Sequence, residues 1–205
     1  MEKLDLKKQL KHLYKPSAKQ PSIVEVPPMN FLMIDGRGHP SEAEEYHTYM
    51  QALYGLSYTI KFASKQRLGI DYVVMALEGL WWSEDAAELN MDDKINWYWT
   101  SMMMQPDHIT AEFVEEARQE LAAKKDPPAL DRIRFERFEE GLSAQIMHVG
   151  PYDAEAPTIE RLLAFIRENG YELRGKHHEI YLGDPRRTAP ERLKTVLRQP
   201  ICLRG

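Results

Sequence analysis

Six consecutive residues, His177-His178-Glu179-Ile180-Tyr181-Leu182, carry the densest set of groups in this chain that could do chemistry. An acid two places from a phenol suits proton transfer, with the carboxylate as base and the hydroxyl bonding an oxygen that gains charge. On a strand, alternation sends Ile180 and Leu182 to one face and His177, Glu179 and Tyr181 to the other. The apolar pair is expected to meet the helices, leaving Glu179 and Tyr181 to point into a cleft. A carboxylate in a semi-enclosed apolar place costs free energy unless it has partners, and such costs are often retained for function. The pattern by itself serves a solvated strand face equally well.

Aromatic density tilts that balance. Trp81 and Trp82 end one expected strand, and Trp97, Tyr98 and Trp99 sit on the next, so all four tryptophans fall in one β-β unit. Met75, Met102, Met103 and Met104 accompany them. Alternation puts Trp97, Trp99, Ser101 and Met103 on one face and Tyr98, Met102 and Met104 on the other. Indoles with pliable thioethers suit planar, variable ligands, and a cation over such a ring gains about 0.5–2 kcal/mol. Each ring singly also serves as core. The candidate ligand-lining set is Met75, Trp81, Trp82, Trp97, Trp99 and Met103. Tyr152, just past a strand end, is expected at the rim. His148 in Met147-His148-Val149-Gly150 either touches ligand or is a hydrogen-bonded structural residue. Glu78 in Leu77-Glu78-Gly79-Leu80-Trp81 occupies a place comparable with Glu179, so the cleft is expected to hold two acids.

Other chemistries lack their residues. His47 and His177-His178 have no companions at zinc-ligand spacings, so no metal is expected. Gly36-Arg37-Gly38 lacks the Lys-Ser/Thr of a phosphate loop, no Gly-x-Ser-x-Gly elbow occurs, and no cofactor is called for. Cys202, the one cysteine, sits in an apolar tail and reads as an inert packed thiol.

The elements that must position these groups follow from the punctuation of the chain. Strands are expected at 23–26, stopped by Pro27-Pro28, and at 31–34. Ser41 with Glu44 reads as a capping box opening a helix to about Ala63. Strands at 72–80 and 95–104 flank an acidic loop at 83–93. A helix runs from Thr110 to Lys125, where Asp126-Pro127-Pro128 ends it. Strands at 133–138 and 142–149, a helix at 154–168 capped by Asn169-Gly170, and strands at 177–182 and 193–197 complete the order.

Laying Gly38 on Gly150 (150 − 38 = 112) places Ile34 on Ile146 and one helix on another, and Gln105-Pro106 recurs as Gln199-Pro200. The expected fold is α+β: a duplicated β-β-α-β-β module forming a curved antiparallel sheet, with helices on one face and a central ligand cleft. Residues 1–205 form one domain of two pseudo-repeats, about 22–106 and 131–202, joined by a helix at about 110–125. Neither half alone can bury both faces of its strands. The helix-free face is expected to curve into the cleft at their seam.

A net charge of −5 argues against a general nucleic-acid binder. Lys3, Lys7, Lys8, Lys11, Lys15 and Lys19 read as a solvated lead-in. With no hydrophobic leader and no membrane-length apolar stretch, the chain reads as cytoplasmic, with no membrane partner.

The chain resembles stand-alone GyrI-like small-molecule-binding proteins, relatives of the effector domains of multidrug-sensing regulators. The likeness rests on Ile34-Asp35-Gly36-Arg37-Gly38, Leu77-Glu78-Gly79-Leu80-Trp81, Met104-Gln105-Pro106-Asp107, His148-Val149-Gly150-Pro151-Tyr152 and His178-Glu179-Ile180-Tyr181-Leu182. It implies a central cleft for hydrophobic, aromatic or cationic small molecules, with Glu179 as the central acid amid Tyr152, Tyr181 and tryptophans. Some relatives of this type resemble hydrolases that open electrophilic cyclopropanes in DNA-alkylating compounds. Carried over, Glu179 would be general base and Tyr181 or Tyr152 would hydrogen-bond the oxygen gaining charge. A protein-interaction role such as gyrase inhibition is a third implication. About twenty residues precede the first strand, too few for a DNA-binding module, so direct transcription control is not expected.

Overall fold

The computed structural model describes residues 3–40, 44–83 and 97–205. Its described strands are β1 (Ser22–Val26), β2 (Met29–Arg37), β3 (Leu77–Trp82), β4 (Tyr98–Gln105), β5 (Arg134–Phe138), β6 (Gly141–Val149), β7 (Tyr171–Leu173), β8 (His177–Tyr181) and β9 (Lys194–Leu203). They make one curved antiparallel sheet in the order β1-β6-β9-β8-β3-β4-β2-β5, with β7 on β9. Among the described residues five α-helices accompany it: α1 (Leu6–Gln9), α2 (Lys11–Tyr14), α3 (Glu44–Ala63), α4 (Ala111–Lys124) and α5 (Ala156–Glu168). None among the described residues is long and apolar enough to cross a membrane.

The strand order maps onto itself when β1, β2, β3 and β4 are exchanged with β5, β6, β8 and β9. The spacing follows: 134 − 22, 141 − 29 and 156 − 44 all equal 112 for the starts of β5 and β1, β6 and β2, and α5 and α3. Gly38 and Gly150 both carry positive φ, 84° and 145°, where each chain leaves its strand. The outermost strands pair with strands far away in sequence, β1 with β6 and β5 with β2.

Alternation divides the side chains between two faces. Leu32, Ile34, Trp81, Trp97, Trp99 and Met103 pack under α3 and α4, while Ala144, Ile146, Leu197 and Ile201 pack under α5. All three long helices therefore lie on one face. Thr110 caps α4, its hydroxyl accepting from the Phe113 amide, as its sequence signal promised.

The other face is covered by the N-terminal segment, which corrects the expectation of a solvated lead-in. Leu6, Leu13 and Tyr14 are buried there against Phe31, Met33, Leu80, Met102 and Ile180. Full burial of a side chain like Leu13 contributes roughly 1.5–3 kcal/mol. Backbone bonds tie the segment down at both halves: Leu4 N donates to Asp71 O at 2.9 Å, and Met147 N donates to Ser17 O at 3.0 Å. The lysines stay outside while the apolar residues between them turn inward.

This strap reverses the assignment of faces. Ile180 meets the strap, and Glu179 and Tyr181 lie on the helix face. The expected helix-free cleft is thus filled by the chain's own N-terminal segment. Among the boundaries, the strand expected at 72–80 begins at Leu77, and the closing strand runs on to Leu203. The Ser41 cap, most of the acidic loop at 83–93 and the expected strand start at Ile95 lie outside the described residues.

Candidate functional site

The central strands β3 and β8 set the register of the site. Gly79 pairs with Glu179, Leu77 with Tyr181 and Trp81 with His177, so these six residues share the helix face. Across β4 the same row continues from Gly79 to Ser101 and from Trp81 to Trp99. Across β9, Tyr181 pairs with Thr195, which pairs with His148 of β6.

Glycine shapes this surface at two points. A Cβ at Gly79 would stand 2.8 Å from Trp81 Nε1 and 3.2 Å from the Tyr181 hydroxyl. At Gly36 it would stand 2.1 Å from the Trp99 ring. Trp81 reaches back over its own strand, and Trp99 across to β2, only because no side chain stands at these two places.

With Trp81 so placed, a directed relay results. Trp81 Nε1 donates to the Tyr181 hydroxyl at 3.1 Å, and Tyr181 donates to Glu179 Oε2 at 2.7 Å. An indole N–H can only donate, so the phenol oxygen accepts and its proton is committed to the carboxylate. Burial, followed by the Glu179 charge, pushes the Tyr181 phenol well above its ordinary range. Glu179 is 8% exposed, and its other oxygen, Oε1, accepts no hydrogen bond among the described residues. His177 Nε2 stands 3.4 Å from Oε1 without hydrogen-bond geometry.

Aromatic rings pack on the same face as the acid. Tyr152 meets Tyr181 edge-on at 5.5 Å, Trp81 meets Trp97 at 5.6 Å, and Tyr46 of α3 meets Trp99 at 5.1 Å. Burial drives Tyr46 up to about 12, with the Ser101 hydroxyl opposing and the Tyr54, Tyr152 and Glu179 charges adding. Tyr152 is likewise pushed up to about 12, by burial first and then by the Glu155 and Glu179 charges. Both phenols therefore keep their protons at neutral pH.

Of the sequence candidates, the structure brings together Glu179, Tyr181, Tyr152, Trp81, Trp97, Trp99 and Met103 on the helix face. His148 lies at the α5 side: its Nδ1 meets Thr158 Oγ1 at 3.0 Å and its Nε2 lies 3.2 Å from Pro151 O. A carbonyl can only accept, so Nε2 carries the proton and the ring anchors the turn that presents Tyr152.

Glu78, Met75 and Trp82 are not brought to this place. Met75 packs under the strap. Trp82 stacks on Tyr98 at 5.9 Å with Lys176 Nζ 3.3 Å above its ring. Glu78 faces the strap, which corrects the expectation of two acids in one cleft. Carrying the 112-residue offset of β2 and β6 through the β2–β4 and β6–β9 registers puts Leu197 in the place of Ser101, so the counterpart of Glu179 is Gly79 and that of Glu78 is His178. A one-residue slip changes the face.

Tyr46, Glu155, His177 and Thr195 belong near the site and were not among the sequence candidates. Glu155, 2% exposed, follows Tyr152 by three residues at the start of α5 and reads in sequence as an ordinary first-turn acid. Tyr46 reads as one rung of an apolar helix stripe. Among the described residues no group of three His, Cys, Asp or Glu side chains is arranged to hold a metal. Two surface depressions on α3, one of about 400 Å³ beside Leu121 and Pro127, lie away from Glu179.

Residues 19–201 match the GyrI-like small molecule binding domain. The chain belongs to that family. An uncharacterized conserved protein from Listeria innocua superposes on this GyrI-like chain with a TM-score of 0.90 and 44% identity, covering 98% of this chain and 100% of its own. A protein described as a hydrolase from Listeria innocua gives 0.86 and 42% over the same shares. The EcmrR C-terminal domain, at 12% identity and a TM-score of 0.56 over 90% of this chain and 98% of its own, shares the fold. No curated protein matches this GyrI-like chain.

Proposed function

We propose that this GyrI-like protein binds an apolar, aromatic or cationic small molecule over Glu179 and hydrolyses it, the ligand carrying an electrophilic carbon such as that of a strained, electron-poor cyclopropane. The observation that carries the reading is the unequal treatment of the two Glu179 oxygens. Oε2 is held by the Trp81–Tyr181 relay, which fixes the carboxylate in place. Oε1 is left to meet a water or a ligand. A base fixed at one oxygen and open at the other is already oriented for proton abstraction, which contributes typically 10²–10⁴-fold.

In the reaction, water gives one proton to Glu179 Oε1 as its oxygen bonds the electrophilic carbon. The ring C–C bond breaks, and its electron pair moves onto the conjugated oxygen of the ligand. Tyr181 has already committed its proton to Glu179, so Tyr152 is the phenol for that oxygen. It is 36% exposed and its hydroxyl has no hydrogen bond among the described residues. The Listeria innocua protein described as a hydrolase, 42% identical over nearly the whole chain, favours turnover.

Binding without turnover is the second reading, favoured by the half-exposed Tyr152 ring edge-on to Tyr181 beside the acid, which serves sequestration equally well. Incubation with a cyclopropane-bearing alkylator in ¹⁸O-water, followed by mass spectrometry, separates the two. Hydrolysis gives a product carrying one ¹⁸O, and Glu179→Gln loses that product while still quenching tryptophan fluorescence on binding. Ligand returned unchanged by the wild type establishes sequestration, and equal product from Glu179→Gln removes Glu179 from the mechanism.

A further inference from the structure

Three histidines among the described residues are buried, and they are used differently. His178 has Nδ1 at 2.9 Å from Glu140 Oε1 and Nε2 at 3.0 Å from Glu78 Oε2. His148 has both nitrogens engaged by Thr158 and Pro151. His177 is 8% exposed, and its Nε2 has no hydrogen-bond partner. A buried polar nitrogen without a partner destabilises a fold by about 1–3 kcal/mol, so its retention asks for a reason.

Its position supplies one. His177 shares the helix face with Glu179, is paired across the strands with Trp81, and holds Nε2 3.4 Å from Oε1, the Glu179 oxygen that Tyr181 leaves alone. Two adjacent acceptors on one strand face can each take one hydrogen of the same water, which leaves the water's lone pairs directed away from the strand. We propose that His177 is a further catalytic residue, whose Nε2 and Glu179 Oε1 together hold the attacking water. This rests on the hydrolytic reading of the site. Glu179 takes one proton as the O–C bond forms. The second hydrogen stays on the oxygen through the step, directed by a hydrogen bond to His177 Nε2, and leaves with the product as its new hydroxyl. His177 thus orients and does not transfer a proton, which separates its role from that of Glu179.

Sequence offers no hint of this division between adjacent histidines except alternation: His178 falls on the strap face and His177 on the site face. The test compares wild type, His177→Phe and His177→Gln with the cyclopropane-bearing alkylator in ¹⁸O-water. Initial rates give kcat and KM, tryptophan quenching gives affinity, and thermal unfolding confirms the fold. His177→Phe keeps a planar ring and is expected to lower kcat about 100-fold with KM within about threefold. His177→Gln retains a side-chain carbonyl that can accept from water, and is expected to recover roughly a tenth or more of the wild-type rate. Wild-type kcat in the Phe variant overturns the proposal. So does a Gln variant no better than Phe, or a loss of rate that only follows a loss of affinity. If the wild type itself forms no ¹⁸O product, the hydrolytic reading has failed and the water site falls with it, whereas an active wild type with an indifferent His177 sinks the water site alone.

Discussion

Glu78 and Glu179 lie on adjacent, hydrogen-bonded strands, and both are buried, yet the two faces of the sheet use them in opposite ways. On the strap face every oxygen of the buried acids is answered. Glu78 takes the Tyr14 hydroxyl at 2.8 Å and His178 Nε2 at 3.0 Å. Glu140 takes His178 Nδ1 at 2.9 Å and Arg198 Nη1 at 3.0 Å. Arg198 also donates to Gln145 Oε1 and to the Leu13 carbonyl, and Gln145 donates to the His12 carbonyl. Two acids, an imidazolium and a guanidinium thus balance in charge and hold the N-terminal segment on the sheet. On the helix face Glu179 has one answered oxygen, and its neighbour His177 has an unanswered nitrogen. Complete satisfaction marks a structural cluster, and directed incompleteness marks a site where something else must bind.

The comparison is broken most forcefully at Arg198, which is 1% exposed. Arg198→Met removes the guanidinium and leaves Glu140 with His178 alone, and Gln145 Oε1 and the Leu13 carbonyl without their donor. Removing one member of a buried ion pair typically destabilises by about 3–5 kcal/mol, and urea unfolding should show a loss of that size. A loss below about 1 kcal/mol would mean that the strap-face network contributes little, and the contrast between faces would be wrong.

Acid and base sharpen the same contrast. The charges of Glu140 and Glu78, and the hydrogen bonds to them, outweigh burial and hold His178 at about 9, above its ordinary 6.5. A group raised on folding stabilises fully below its unfolded value, so this contribution is intact at pH 6 and fades as pH rises through about 9. Against the opposing effect of burial, His178 and then Arg198 hold Glu140 down at about 2 from an ordinary 4.5. Its contribution is intact above pH 4.5 and fades as pH falls toward 2. Melting temperature against pH should therefore decline on both sides, and His178→Gln should flatten the alkaline limb. An unchanged alkaline limb in that variant would remove His178 as its cause.

A smaller effect tests whether the strap is held by this network or only by its apolar side chains. Tyr14→Phe keeps the buried ring and deletes the hydroxyl that Glu78 accepts. About 1–3 kcal/mol should be lost, with proteolysis within residues 3–19 speeding up before the rest of the chain opens. Equal protection of strap and sheet in the variant would show that apolar burial alone suffices.

Much of this fold was legible in sequence, because turn residues and alternation are local signals. Thr110 as a cap, Pro27-Pro28 as a strand stop and Asp126-Pro127-Pro128 as a helix stop act where they stand. That Glu179 shares a face with His177 and Tyr181, and Trp99 with Ser101 and Met103, followed from strand parity. Which face parity points to was not legible. That depends on the long-range crossing that carries Leu13 and Tyr14 under the sheet, and lysine-rich spacing hides it. The pairing of Glu78 with Glu179 failed for the same physical reason. Residues that look equivalent in two aligned strands exchange faces when the alignment slips by one, and only the β3–β4 and β8–β9 registers fix it. Glu155 and Tyr46 were hidden because helix residues at a strand seam look like any first-turn acid or stripe aromatic.

The smallest expected effect is the most discriminating. Glu179→Gln replaces a carboxylate with an amide of the same shape, whose carbonyl oxygen can still accept from Tyr181. Nothing else in the described structure depends on Oε1 for a hydrogen bond, so the fold has little to lose. Stability in urea should change by less than about 1 kcal/mol, near the ordinary range for substitutions that break no buried network. Glu78→Gln, the same substitution one strand away on the opposite face, must put an amide where His178 needs an anion, and should lose several times as much. Equal losses for the two glutamines would mean that Glu179 is as much a structural acid as Glu78, and that the helix face is not where this protein meets its ligand.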